Sequence, residues 1–196
     1  MQTKKEEIRQ TILEAAQREF LIHGYEGSSM RTIAKKANTT IGNIYHYFPN
    51  KEAILEILME EPIRSIHKVI DNHMAEQKRI YSYDELKEAL DGIEDIIEES
   101  DLFYLMDERM IILFDLKTTR FVEVREWFVK ACKQHLAWHM GTEDEDSAYV
   151  DIITDMFIAS VRHVLMEHKN VEQSKKEFCK VFRMLCAGLI SNRQEE

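Results

Sequence analysis

Apolar residues along this chain recur at helical rather than strand spacing. Ile8, Ile12, Ala16 and Phe20 fall four apart, with Glu6, Glu7, Arg9, Gln10, Gln17 and Arg18 on the other faces, which predicts an amphipathic first helix. His23-Gly24-Tyr25-Glu26-Gly27 should end it, Gly24 taking the left-handed conformation that commonly closes a helix. Ser28 or Ser29 can cap a short helix from Met30 to Ala37, with Ile33, Ala34 and Ala37 inward. Asn38-Thr39-Thr40 makes the next break, because Asn tolerates a left-handed backbone and a threonine hydroxyl can cap the next turn. A second short helix is predicted over Ile41 to Tyr47. Phe48-Pro49-Asn50 stops it, since a residue before proline is pushed out of the helical region.

From Lys51 a longer helix is predicted, with Ile54, Leu55, Leu58, Ile66, Val69 and Ile70 on one side and a kink or break near Glu61 caused by Pro62. Ser82-Tyr83-Asp84-Glu85 and Thr142-Glu143-Asp144-Glu145 have the form of a capping box, and Asn170-Val171-Glu172-Gln173 is a looser version. They mark the starts of helices within a set expected at 83–98, 101–114, 118–140, 143–168 and 171–191. The acidic run Glu143 to Asp146 reads as a solvated helix start, where the helix dipole favours negative charge, rather than as a metal site. The fold class is therefore all-α: a three-helix, helix-turn-helix domain over residues 1–51 and a larger helical domain over 52–196.

Composition agrees. Six glycines and two prolines in 196 residues leave little room for the turns of a β-sandwich or barrel, and the 44% hydrophobic content fills a sizeable core. No apolar run approaches the ~18 residues of a membrane span, and Met1 to Lys5 leads into alternating charge, so a cytoplasmic protein is expected. Cys132, Cys179 and Cys186 form no CxxC and read as unpaired thiols in apolar helical contexts. The net charge of −10 argues against a nucleic-acid partner until the chain is divided. Residues 1–51 carry eight Lys or Arg against five Glu, a net of +3, which leaves −13 on the other 145 residues. A small basic head sits on an acidic body.

Two short helices joined by a tight turn and preceded by a longer helix form the helix-turn-helix pattern of DNA-binding proteins. Ala16, Phe20, Gly24-Tyr25, Ser29, Ile33-Ala34, Ala37, Gly42, Ile44-Tyr45, Tyr47-Phe48 and Lys51-Glu52 resemble, in order and spacing, the N-terminal domain of the tetracycline-repressor (TetR/AcrR) family over about residues 6–58. That family's usual A-G-V-S turn appears here as Ala37-Asn38-Thr39-Thr40. The resemblance implies about nine helices, a dimer, and repression of a palindromic operator relieved by a small-molecule inducer. On the residues themselves, Ile41, Gly42, Asn43 and His46 occupy the leading surface of a recognition helix: Asn43 suits adenine, Ile41 a thymine methyl, and Gly42 permits close approach. Ser29, Arg31, Thr40, Tyr45, Tyr47 and Lys51 are the expected phosphate contacts around them, while Phe48 reads as core and Lys35 and Lys36 as a solvated face.

In the body, the broad apolar faces near 148–166 and of the last helix suit a four-helix homodimer interface, with burial inside one subunit the alternative, and both can hold in part. His67, Phe103, Met106, Met110, Phe114, Trp127, Met156 and His163 are the candidate walls of a ligand pocket, and the acidic body favours apolar or cationic inducers. His135 and His139 are four apart but lack a third ligand at supporting spacing, so no metal is expected, and no cofactor either. An enzyme is not expected, for the chain contains no Gly-rich phosphate loop, G-x-S-x-G or H-E-x-x-H.

Overall fold

The computed structural model describes residues 2–74, 82–92, 94–95, 105–140, 147–167 and 170–192, and no strand occurs among them. The chain divides into two compact units, residues 1–63 with 109–125, and 64–108 with 126–196.

In the first unit α1 (Gln2–Gly27), α2 (Met30–Lys36) and α3 (Ile41–Tyr47) form the expected trio. The apolar stripe of α1 is the buried one, with Ile12, Ala16 and Phe20 inaccessible and Ile8 half-buried. Gly24 has φ 72° and ψ 161°, a non-helical backbone that only glycine adopts readily, so it interrupts α1 as expected, and a further helical turn beyond it reaches Gly27. The cap of α2 is Ser29, whose hydroxyl accepts from the Thr32 amide while Thr32 Oγ1 accepts from the Ser29 amide, each at 3.1 Å. Asn38, at φ 50°, closes α2 in the manner of a Schellman turn: its amide bonds Lys35 O at 3.2 Å and the Thr39 amide bonds Ala34 O at 2.9 Å. Thr40 then caps α3 by accepting from the Asn43 amide at 3.1 Å.

The next helix, α4 (Lys51–Lys68), starts on Asn50, whose side chain accepts from the Ala53 amide at 2.8 Å. It buries Ile54, Leu55 and Leu58 as expected, but the break expected near Glu61 does not occur. Pro62 lies buried inside a continuous helix, and departure from α-geometry comes only afterwards, in a π-helical turn over Val69–Met74. The reason is local. Proline has no N–H for the Leu58 carbonyl, and Arg109 Nη1 donates to that carbonyl instead, at 3.4 Å. Arg109 opens α6 (Arg109–Asp115), a helix shorter than the 101–114 expected, whose residues Met110 to Leu113 are all buried and which packs on α1. Residues 101–104 lie outside the described set, and Leu105 to Glu108 are not α-helical.

The second unit contains α5 (Tyr83–Asp91), the unit's share of α7 (Phe121–Met140), α8 (Ala148–Glu167) and α9 (Val171–Asn192). The Ser82 capping box forms as expected, but Gly92 caps α5 before the expected end at 98. The start of α8 is Ser147, whose hydroxyl accepts from the Val150 amide at 3.3 Å; the capping box proposed at Thr142 lies outside the described residues. Asn170 Oδ1 accepts from the Glu172 amide at 2.9 Å and begins α9. This helix packs on α8 and α5, with Phe178 buried beside Phe157 and Phe182.

Two glutamates fasten the first unit in ways no local spacing announces. Glu19, buried in α1, pairs with Lys36 of α2 at 2.5 Å, so Lys36 is not simply a solvated residue. Glu26 Oε1 accepts from the Lys117 amide at 2.9 Å, the Thr118 amide at 3.0 Å and Thr118 Oγ1 at 3.1 Å, pinning the connection between α6 and α7 to the end of α1. Thr119, next in that connection, has φ 89°, costly for a β-branched residue. Burial pushes the Glu19 carboxyl up, but the bonds from Lys36 and Thr32 and the nearby Lys36 and His23 charges outweigh it and hold it low. Glu26 is likewise lowered, its partial burial being outweighed by backbone amides, chiefly that of Lys117, and by Thr118.

Because both folded-state values are depressed, the stabilisation is complete above the ordinary glutamate value of about 4.3 and is lost as pH falls through the lowered ones. Acid titration of the unfolding midpoint should show this loss, and Glu19→Gln should cost about 1–2 kcal/mol at neutral pH while flattening the acid limb. An unchanged acid limb in Glu19→Gln would remove the Glu19–Lys36 pair from the account.

Candidate nucleic-acid interface

Seven residues make α3, and its inward side is fixed by Ile44, which is fully buried, and by Phe48 just beyond it. Phe48 is the core aromatic expected of it, 2% exposed, with the Arg9 guanidinium 5.8 Å from its ring centroid. That inward anchoring turns Ile41, Gly42, Tyr45 and His46 outward together, one turn apart on a single face. Ile41 is 41% and Tyr45 53% exposed, so this face offers both apolar side chains to solvent. At Gly42 a Cβ would meet nothing within 4 Å, so no packing within the described chain requires glycine there.

The remaining expected contacts divide by what already holds them. Asn43 is half-buried and its Nδ2 donates to Thr39 Oγ1 at 2.7 Å, which orients the amide while leaving its oxygen and one N–H to read a base. Tyr47 is half-buried with its ring edge-on to His46, centroids 5.5 Å apart. Ser29 and Thr40 are exposed helix caps, and Arg31 stands exposed on α2 with Lys35. Cap hydroxyls and first-turn amides at two neighbouring helix starts are donors suited to phosphate oxygens.

Lys51 differs from the rest. Its Nζ donates to Tyr25 O at 2.5 Å and Ser28 O at 2.8 Å and lies 4.1 Å from the Tyr25 ring centroid. Burial pulls its ammonium below the usual lysine range, partly offset by the Glu26 charge. Tyr25 is itself buried and meets Phe20 edge-to-face at 5.3 Å. The sequence does not announce that Lys51 meets Tyr25 and these carbonyls, for the contact spans 23 to 26 residues and follows no helical period.

The candidate pocket residues fall in both units. Met110, fully buried, and Phe114 lie on α6 in the first unit. Met106, buried, and the exposed pair His67 and Trp127, ring centroids 4.7 Å apart, belong to the second. Met156 and His163 are exposed on α8, and Phe103 lies outside the described residues. Burial pushes the Cys132 and Cys186 thiols up to about 12, so neither is a thiolate at neutral pH. Among the described residues no three His, Cys, Asp or Glu side chains form a metal cluster, and no helix is long and apolar enough to cross a membrane.

Comparison with known proteins bears on the same stretch of chain. Over 72 residues the chain is 38% identical to the HTH-type transcriptional repressor AcnR of Corynebacterium efficiens, a match covering 36% of this chain and 38% of that protein. Over 80 residues it is 34% identical to the HTH-type transcriptional regulator UidR of Escherichia coli, covering 35% and 41% respectively. The chain thus matches only about two fifths of the length of these relatives. The solved structure of Mycobacterium smegmatis AmtR aligns with 95% of this chain and 94% of its own at 21% identity, with a TM-score of 0.48. Residues 12–58 match the family model of bacterial regulatory proteins of the tetR type, and they include α2, α3 and the buried and outward positions just described. Through that stretch the chain is similar to the tetR family of bacterial regulatory proteins.

Proposed function

We propose that the chain is a DNA-binding transcriptional regulator that represses from a palindromic operator as a dimer and is released by a small molecule. The observation that carries this reading is the outward face of α3, where Ile41, Gly42, Tyr45 and His46 are presented to solvent by a helix whose other side is locked into the core. The face is one helix wide and suits a major groove about 12 Å across. Ile41, Gly42, Asn43 and His46 read base edges, while Ser29, Arg31, Thr40, Tyr45 and Tyr47 hold phosphates and fix the register.

A second copy of the chain is the proposed partner, through α8 and α9. Tyr149, Ile152 and Met156 form an exposed stripe on α8, with Ile152 56% exposed, and Met184 is exposed on α9. Covering such faces in a two-fold bundle removes apolar surface from water and places two heads on half-sites about 34–36 Å apart or a multiple of that. The effector is proposed to be apolar or cationic because the net −13 outside residues 1–51 disfavours anions. If effector and operator bind different states of the dimer, each must weaken the other by the same factor.

Selection of bound sequences from random duplex DNA tests the main reading: two inverted half-sites should be enriched, and no enrichment at moderate salt would refute it. Gly42→Ala should leave the unfolding midpoint unchanged or slightly higher, since alanine is favoured in helices by about 0.5–1 kcal/mol, yet weaken operator binding about tenfold or more. Wild-type affinity in that variant would show that DNA does not approach Gly42. Ile152→Glu should give a monomer by sedimentation with the fold intact, and a persistent dimer would move the interface elsewhere.

A further inference from the structure

Lysine at the start of α4 is expected, from the family resemblance, to touch phosphate, but its surroundings in this chain are already complete. An ammonium has three donor directions. Two of them end on the carbonyl oxygens of Tyr25 and Ser28, at 2.5 and 2.8 Å, and the Tyr25 ring face occupies a third side at 4.1 Å. Those carbonyls lie where α1 gives way to α2, beyond the bend at Gly24, and Tyr25 O also accepts from the Ser28 amide at 3.2 Å. Tyr25 is 9% exposed and Ser28 5%, which makes an unmet acceptor there expensive.

The geometry points to Lys51 as a positioning residue for the recognition helix: its ammonium clamps the first turn of α4 onto the α1–α2 corner and so fixes the far end of α3, and it is not a phosphate ligand. At its near end α3 is set by the Asn38 turn and the Thr40 cap. At its far end only Phe48, Pro49 and Asn50 separate it from Lys51, so whatever holds Lys51 also limits the tilt of Tyr45, His46 and Tyr47. Moving the ammonium to a phosphate would mean giving up two charge-assisted bonds to that corner.

This inference rests on the proposal that α3 reads DNA, and the experiment separates the two. Full-length wild type, Lys51→Met and charge-preserving Lys51→Arg are compared on the selected operator and on an unrelated duplex of equal length, across a salt series and well below each protein's unfolding midpoint. A clamp predicts that both variants lose about tenfold or more on the operator, change little on the unrelated duplex, and keep the wild-type salt slope there, because no phosphate contact has gone. The inference is overturned if Lys51→Met weakens both duplexes alike with a slope smaller by about one per subunit and Lys51→Arg restores both. It is also overturned if the midpoint falls while both affinities stay intact, which would make Lys51 a packing residue alone. Should Lys51→Met fail to fold, the arginine variant carries the decision: near-wild-type operator affinity overturns the clamp. Wild-type protein that prefers no sequence refutes the DNA reading itself, and that is seen before any variant is compared.

Discussion

Satisfying the backbone at the corner between α1 and α2 is the constraint on which the head of this protein depends. A sharp bend at Gly24 frees carbonyl groups in a place where water has little access, and a chain of this kind must find donors for them. Ser28 Oγ takes Gly24 O at 2.6 Å, and Lys51 takes the carbonyls of Tyr25 and Ser28. Next to them the Glu26 carboxylate turns the other way and collects the amides of Lys117 and Thr118. One five-residue corner thereby receives α4 on a cation and the α6–α7 connection on an anion. The relative placement of α3 follows, since it is threaded between elements that are each tied to that corner.

The same constraint explains why the head is more than three helices. A short trio buries little surface for its length, and small units are correspondingly marginal. Here α6 lays Met110 to Leu113 against α1 and Arg120 pairs with Glu56 of α4 at 2.8 Å, so residues from far along the sequence complete the core. Arg109 does a related service at Leu58, standing in for the N–H that Pro62 lacks. Arg125 repeats the device at the end of α6, donating to Leu116 O at 2.5 Å. In each case a guanidinium, with several donors on one flat group, covers a carbonyl that the helix itself cannot.

Much of this is legible in the sequence, and the reason is that the legible parts are local. The stripe from Ile12 to Phe20, the Ser29, Thr40 and Ser82 caps and the left-handed Asn38 all depend on residues within one or two turns of one another. The outward set on α3 follows from two buried residues, Ile44 and Phe48, at a spacing of four. What escapes is whatever joins positions far apart: Glu19 with Lys36, Glu26 with Lys117, Lys51 with Tyr25, Arg109 with Leu58. A lone proline correctly signals a missing hydrogen bond but cannot reveal the arginine that replaces it. Candidate pocket residues rest on chemistry alone, without periodicity to assemble them, and they come from α4, α6, α7 and α8 and the segment before α6.

Gly42 carries a consequence for how such a chain can diverge. Because the space around its missing Cβ is open and its neighbours Ile41, Tyr45 and His46 face solvent, this side of α3 contributes little to holding the chain together. Stability resides in the opposite side and in the corner clamps. Substitutions on the outward face therefore escape the penalty that core changes incur, and they can accumulate without first requiring a compensating mutation. The outward residues of α3 are thus separate from the scaffold, so this face is open to change in a lineage that keeps the scaffold unchanged.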